Sequence, residues 1–112
     1  VENPGGQTVK KFKPEAHGEL MVVNEAAALK EMLVRVIQEG TGSSLRTDAY
    51  QAAGKTGSAE FETGKETHAW FVGYAPVEDP KIAVCVIVEE GGSGGKTAGP
   101  IAKKLFDAYL LP

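Results

Sequence analysis

Three short stretches of this 112-residue sequence combine residue types that could do chemistry. Gly54-Lys55-Thr56 and Gly95-Lys96-Thr97 each hold the glycine, lysine and hydroxyl of a phosphate-binding loop. Ser93-Gly94-Gly95-Lys96 has the Ser-x-x-Lys spacing in which a lysine amine can reach a serine hydroxyl and activate it as a nucleophile. Lys55-Thr56-Gly57-Ser58 sets a cation and two hydroxyls around a glycine. On a strand, Lys55 and Gly57 would share one side while Thr56 and Ser58 share the other. Such an edge can bind a carboxylate, and the glycine lets a ligand backbone come close.

The phosphate-loop pattern fails at both places. It needs a glycine five residues before the Gly-Lys-Thr glycine, and those positions hold Ala49 and Glu90. A carboxylate at Glu90, beside Glu89, would repel phosphate. Strand-like residues after Lys55 also deny it the helix whose N-terminus would hold an anion. The Ser93–Lys96 pair spans a glycine-rich loop, which reads more simply as a flexible turn running into a helix start. On spacing alone, Lys55–Ser58 reads as an edge strand with a glycine bulge.

The elements that must position these residues follow from periodicity. Val1–Gly6 is turn-rich, and Thr8–Lys13 alternates weakly with three lysines, which suggests a short edge strand before Pro14. Asn24 is a good N-cap. Leu29, Met32, Leu33, Val36 and Ile37 then form one apolar stripe, so a helix is predicted over about 25–39, with Gly40 as a left-handed C-terminal residue. Strands are predicted at about 51–61, 68–74 and 82–88 with short links, which favour an antiparallel meander. Pro100 can open a last helix whose inner face would be Ile101, Leu105, Ala108 and Tyr109. The expected fold class is α+β: a three-stranded antiparallel meander flanked by an N-side helix and a C-terminal helix. Trp70 is expected in the core, and Cys85 as an inert buried thiol inside the most apolar strand. His68 sits near a strand start without an expected catalytic role, and His17 is assigned none.

Composition removes several classes of function. Twelve basic and fifteen acidic side chains leave a net charge of −3, so no basic field is available for nucleic acid. One cysteine and two histidines cannot build a structural zinc site, and no site for a metal or organic cofactor is expected. No apolar run reaches the length of a membrane span, and no charged-then-apolar leader is present.

Several linked segments together resemble the penicillin-binding protein transpeptidases, over roughly residues 20–111. They are Gly40-Thr41-Gly42, Ala53-Gly54-Lys55-Thr56-Gly57-Ser58-Ala59-Glu60, Ala69-Trp70-Phe71-Val72-Gly73-Tyr74-Ala75-Pro76, the strand 82–88, and Pro100-Ile101-Ala102. The resemblance implies the C-terminal portion of a transpeptidase/β-lactamase-like fold spanning 1–112, with a loop and short edge strand over 1–23 and helix, three strands and helix over 24–111. It also implies peptidoglycan cross-linking: a serine attacks the D-Ala-D-Ala end of a stem peptide, and β-lactams trap the acyl-enzyme. By the same resemblance, Lys55 supplies charge and a hydrogen bond to the serine of a Ser-x-Asn motif. Thr56, Gly57 and Ser58 bind substrate, the two hydroxyls meeting its carboxylate and the Ser58 N–H serving as one oxyanion donor. Serine stands at 58 where the family more often has threonine.

The Ser-x-x-Lys nucleophile motif expected well before the Lys-Thr-Gly strand, and the Ser-x-Asn motif, are both missing from this sequence. The expectation is therefore a piece of a D,D-transpeptidase domain, inactive alone. The alternative is a non-catalytic scaffolding domain of the same fold. Expected partners are the stem peptide and β-lactams in the intact domain and the missing N-terminal part of that domain. The strand 82–88 is apolar on both faces while the chain's helices can cover one, so self-association of the isolated chain is expected as well. The parent would lie outside the cytoplasm, anchored through its own N-terminus.

Overall fold

The computed structural model describes all residues, Val1–Pro112. Its element order is α1 (Val23–Gln38), a 3₁₀ turn (Ser43–Leu45), β1 (Ala53–Ala59), β2 (His68–Ala75), β3 (Ile82–Val88), a wide π-type turn (Gly94–Ala98) and α2 (Gly99–Leu110). The strands form one antiparallel sheet in the order β1-β2-β3. The α+β meander expected from periodicity is the fold, and the three strands lie within the predicted ranges or one residue beyond them.

β1 pairs Lys55 with Val72, Thr56 with Phe71, Gly57 with Trp70 and Ser58 with Ala69. Side chains alternate across a sheet. Ala69, Phe71, Ala75 and Val86 therefore point to one face, where Ile37 of α1, Leu45, and Ala98, Ala102 and Phe106 complete a single core. The Phe71 ring lies over the cross-strand pair Gly54 and Gly73. A Cβ on Gly54 would stand 2.5 Å from Phe71 Cζ, and one on Gly73 would stand 2.7 Å from the same atom. Both glycines admit that ring and the facing strand as well, since the Val72 carbonyl would stand 2.7 Å from a Cβ on Gly54 and the Ala53 carbonyl 2.5 Å from one on Gly73. Phe106 meets Phe71 edge to face, with centroids 6.5 Å apart.

The opposite face of the sheet is bare. Trp70 is 38 % exposed, Val72 55 % and Ile87 47 %, and Cys85 is exposed too. Trp70 is thus not a core residue and Cys85 is not a buried thiol. Both have the parity of the face that no helix of this chain covers. A second correction concerns α2, whose buried residues are Gly99, Ala102 and Phe106, while Ile101, Leu105 and Tyr109 face outward. The small residues let the helix axis approach the sheet, and the bulky stripe is left over.

Three smaller differences have local causes. α1 starts at Val23, because the Glu25 carboxylate reaches back and accepts the Val22 N–H at 3.2 Å, and Asn24 falls inside the first turn. Gly40 does not have a positive φ; the N–H groups of Gly40 and Gly42 both return to the Val36 carbonyl, so the helix closes without a left-handed residue. Thr8–Lys13 forms no strand. Only a single Glu2–Thr8 bridge occurs there, closed by Asn3, whose side chain accepts the N–H groups of Gly5 and Gln7.

A polar triad fastens α2 to the segment before β1. The Tyr50 hydroxyl donates to Asp107 Oδ1 at 2.7 Å, Lys103 Nζ donates to Oδ2 at 2.5 Å, and the Tyr50 ring packs on Phe106. The Lys103 and Tyr50 hydrogen bonds hold the Asp107 carboxyl below its ordinary range. Burial first, and then Asp107, push the Tyr50 phenol well above its own. A lowered carboxyl stabilises the fold above its unfolded pKa of about 4 and loses that as pH falls. A raised phenol stabilises below its unfolded pKa of about 10 and loses that as pH rises. Melting temperature against pH should therefore show a plateau that falls at both ends. Tyr50→Phe should cost about 1 kcal/mol at pH 7 and flatten the alkaline fall. An unchanged alkaline limb would sink the assignment.

Candidate functional site

β1 is hydrogen-bonded to β2 along one side and to no strand along the other. Alternate backbone N–H and C=O groups of Ala53–Ala59 therefore face open space, as on any edge strand. All four residues singled out in the sequence lie on this edge. Lys55 and Ser58 are exposed, and Thr56 and Gly57 are half-buried. The register splits them as expected: Lys55 and Gly57 share the bare face with Val72 and Trp70, and Thr56 and Ser58 share the other with Phe71 and Ala69. The edge has no glycine bulge, because pairing runs unbroken from Ala53–Tyr74 to Ala59–His68.

The three side-chain functions of the edge are each held differently. Lys55 Nζ folds back on its own strand and donates to the Thr56 carbonyl at 2.7 Å. The Thr56 hydroxyl lies 2.6 Å from that of Thr41. The Ser58 hydroxyl accepts the N–H of Gly94 at 3.3 Å. Thr41 was given no site role from the sequence, although it lies in the Gly40-Thr41-Gly42 segment; it sits in the turn after α1.

The glycine stretch before α2 is not a flexible loop. Gly94–Ala98 is one wide helical turn set directly on the sheet, and a Cβ on Gly94 would run into the carbonyl oxygens of both Gly57 and Trp70. A Cβ on Gly95 would likewise strike the Thr41 carbonyl, and one on Gly99 would stand 2.6 Å from Ser44 Oγ. At Gly94 and Gly95 backbone meets backbone, of the sheet and of the turn after α1 respectively, whereas at Gly99 the close neighbours are side chains. The turn brings Ser93 and Lys96 to one polar hollow with Thr41, Ser43 and Ser44. His68 is occupied elsewhere, since its Nδ1 accepts the Glu90 N–H at 3.0 Å and its ring stacks on Phe61 with centroids 4.0 Å apart. No helix of the chain is long and apolar enough to cross a membrane.

Comparison with known proteins gives this geometry a context. Residues 3–107 match the family model of the penicillin binding protein transpeptidase domain. The chain is 42 % identical over 97 residues to the peptidoglycan D,D-transpeptidase MrdA of Acinetobacter baumannii, a match covering 74 % of this chain and 14 % of the relative. It is 33 % identical over 118 residues to the peptidoglycan D,D-transpeptidase PbpA of Mycolicibacterium smegmatis, covering 98 % of this chain and 24 % of the relative. Among solved structures, the ceftriaxone acyl-enzyme complex of penicillin-binding protein A from M. tuberculosis superposes with a TM-score of 0.76 at 29 % identity. That match covers 97 % of this chain and 26 % of the other. The chain thus spans between about a seventh and about a quarter of these three proteins.

Proposed function

The chain belongs to the penicillin-binding protein transpeptidase domain family, of which it is a fragment, and we propose from this that it is the C-terminal segment of a peptidoglycan D,D-transpeptidase domain. Its part in the reaction is to supply one wall of the cleft, β1. The observation that carries the reading is this free sheet edge, with Lys55, Thr56 and Ser58 displayed on it in the family's order.

The chemistry divides as follows. A serine from the rest of the domain attacks the carbonyl carbon of the penultimate D-Ala. The Ser58 N–H on the open edge donates to the oxygen that becomes negative. The C–N bond breaks, the terminal D-Ala leaves carrying a proton on its amine, and a second amine later takes the acyl group. A β-lactam follows the same first step, but its cleaved amine stays tethered. Thr56 and Ser58 hold the ligand carboxylate, and Lys55 places a positive charge beside the serine of the Ser-x-Asn motif. The chain alone lacks the nucleophile and does not acylate. The parent works outside the cytoplasmic membrane.

Two uncovered apolar surfaces support the reading that more of the domain belongs here. One is the sheet face of Trp70, Val72 and Ile87, and the other is the α2 stripe of Ile101, Leu105 and Tyr109. The radius of gyration, 16.2 Å, exceeds the ~13 Å usual for a compact chain of this length. Left alone, these surfaces drive self-association. The test is labelling by a fluorescent penicillin, of the chain alone and mixed with the matching N-terminal piece, with sedimentation of both samples. Labelling confined to the mixture, and oligomers in the chain alone, are expected. Labelling of the isolated chain would overturn its inactivity and point to Ser93. A refolded mixture that stays unlabelled would favour a silent scaffolding domain.

A further inference from the structure

Carboxylate binding by β1, on which this inference rests, sets a condition on its two hydroxyls. A carboxylate only accepts hydrogen bonds, so each hydroxyl must bind it by donating its single proton. That proton must not be spent on the protein. For Ser58 the backbone meets the condition: Gly94 N–H donates to Ser58 Oγ, which leaves the Ser58 proton for another acceptor. For Thr56 the partner is a side chain. Thr41 Oγ1 and Thr56 Oγ1 lie 2.6 Å apart, and either could donate. The pair has one proton in the shared bond and one left over.

We propose that Thr41 is a positioning residue: it donates to Thr56 and so turns the Thr56 proton outward to the ligand carboxylate, as Gly94 N–H does for Ser58. Its surroundings fit this role. The Gly42 N–H is tied to the Val36 carbonyl at 2.9 Å, which closes the turn carrying Thr41. On the other side Gly95 sits so close to the Thr41 carbonyl that no Cβ fits between them, and Ser44 Oγ donates to the Gly95 carbonyl at 3.2 Å. The backbone of Thr41 is clamped between α1 and the turn before α2, so its hydroxyl reaches Thr56 from a fixed base. A preset hydroxyl avoids the cost of ordering one when the ligand arrives.

The experiment uses the full-length transpeptidase that carries this segment, as wild type, Thr41→Val, Thr41→Ala and Thr41→Ser. Second-order acylation constants are measured with a penicillin and with its methyl ester, which lacks the carboxylate. Thr41→Val and Thr41→Ala should lower the penicillin constant about tenfold and leave the ester constant within about twofold. Thr41→Ser should restore the wild-type preference for the carboxylate. The ratio of the two constants does not depend on how much of a preparation is active, and Thr41 is exposed, so folding of the variants is expected. A wild-type ratio in Thr41→Val and Thr41→Ala, whether both constants hold or both fall, overturns the inference; so does failure of serine to restore it. A wild type that no penicillin acylates overturns the transpeptidase reading itself, and the inference with it.

Discussion

Phe71→Ala is expected to lower the melting temperature of the transpeptidase domain carrying this segment by roughly 10 °C, from a loss of about 3–5 kcal/mol. Phe71 is fully buried and belongs to the core cluster. Three separate features of the fold depend on its ring. At Gly54 and Gly73 the ring, together with the facing strand's carbonyls, leaves no room for a side chain. Phe106 meets it edge to face and thereby docks α2 on the sheet. Thr56 is its cross-strand partner, so the ring backs the candidate site directly. Alanine would leave a void between two glycines, which have nothing to fill it with, and the strand backbones cannot collapse without breaking their ladder. Urea unfolding would measure the loss. A cost under about 1.5 kcal/mol would mean that the strands and α2 close over the space the ring leaves.

How much of this was legible depends on what kind of signal each element carries. Strands β2 and β3 are dense in β-branched and aromatic residues, and their register follows once the links are short. Parity also told that Trp70 and Phe71 face opposite ways, but not which of the two faces this chain covers. The deciding signal was the glycine pair, Gly54 and Gly73, which clears room on the side of Phe71 alone. The inner face of α2 was misread for a related reason. Periodicity weighs bulky residues, so Ile101, Leu105 and Tyr109 stood out, whereas close packing on a sheet favours Gly99 and Ala102. The glycine run looked flexible because composition cannot separate a glycine that moves from one that has no space for a side chain. Gly94 is of the second kind. That Lys55, Thr56 and Ser58 share one strand was readable because contiguous residues on a strand need no tertiary information; the roles expected of them came from the resemblance, since their spacing alone reads as an edge strand. Thr41 reaches Thr56 across fifteen residues, and only the closure of the α1 turn brings the two hydroxyls together.

In the same domain, Lys55→Met is expected to lower the second-order constant for penicillin acylation by about 10²–10³-fold while moving the melting temperature little. The split between the two readouts follows from where Lys55 sits. Its side chain is exposed on the bare face of the sheet, beside Val72, and its one hydrogen bond within the chain runs to the neighbouring Thr56 carbonyl. Methionine keeps most of the aliphatic stem, and an exposed substitution of this sort costs within about 0.5 kcal/mol of stability. The charge has little to stabilise in this chain, yet it lies on the bare sheet face, which the rest of the proposed domain would cover. A lone ammonium buried by that packing would be costly unless it met a partner. A polar group of the completed cleft would be such a partner. Lys55→Arg keeps the charge but changes its shape and reach, so it should recover only part of the rate. Lys104→Met, an exposed lysine on α2 outside the site, should leave acylation unchanged. A Lys55→Met domain that acylates within about threefold of wild type would remove Lys55 from the site. A rate loss matched by a large fall in melting temperature would recast Lys55 as a structural cation at the join between this segment and the rest of the domain.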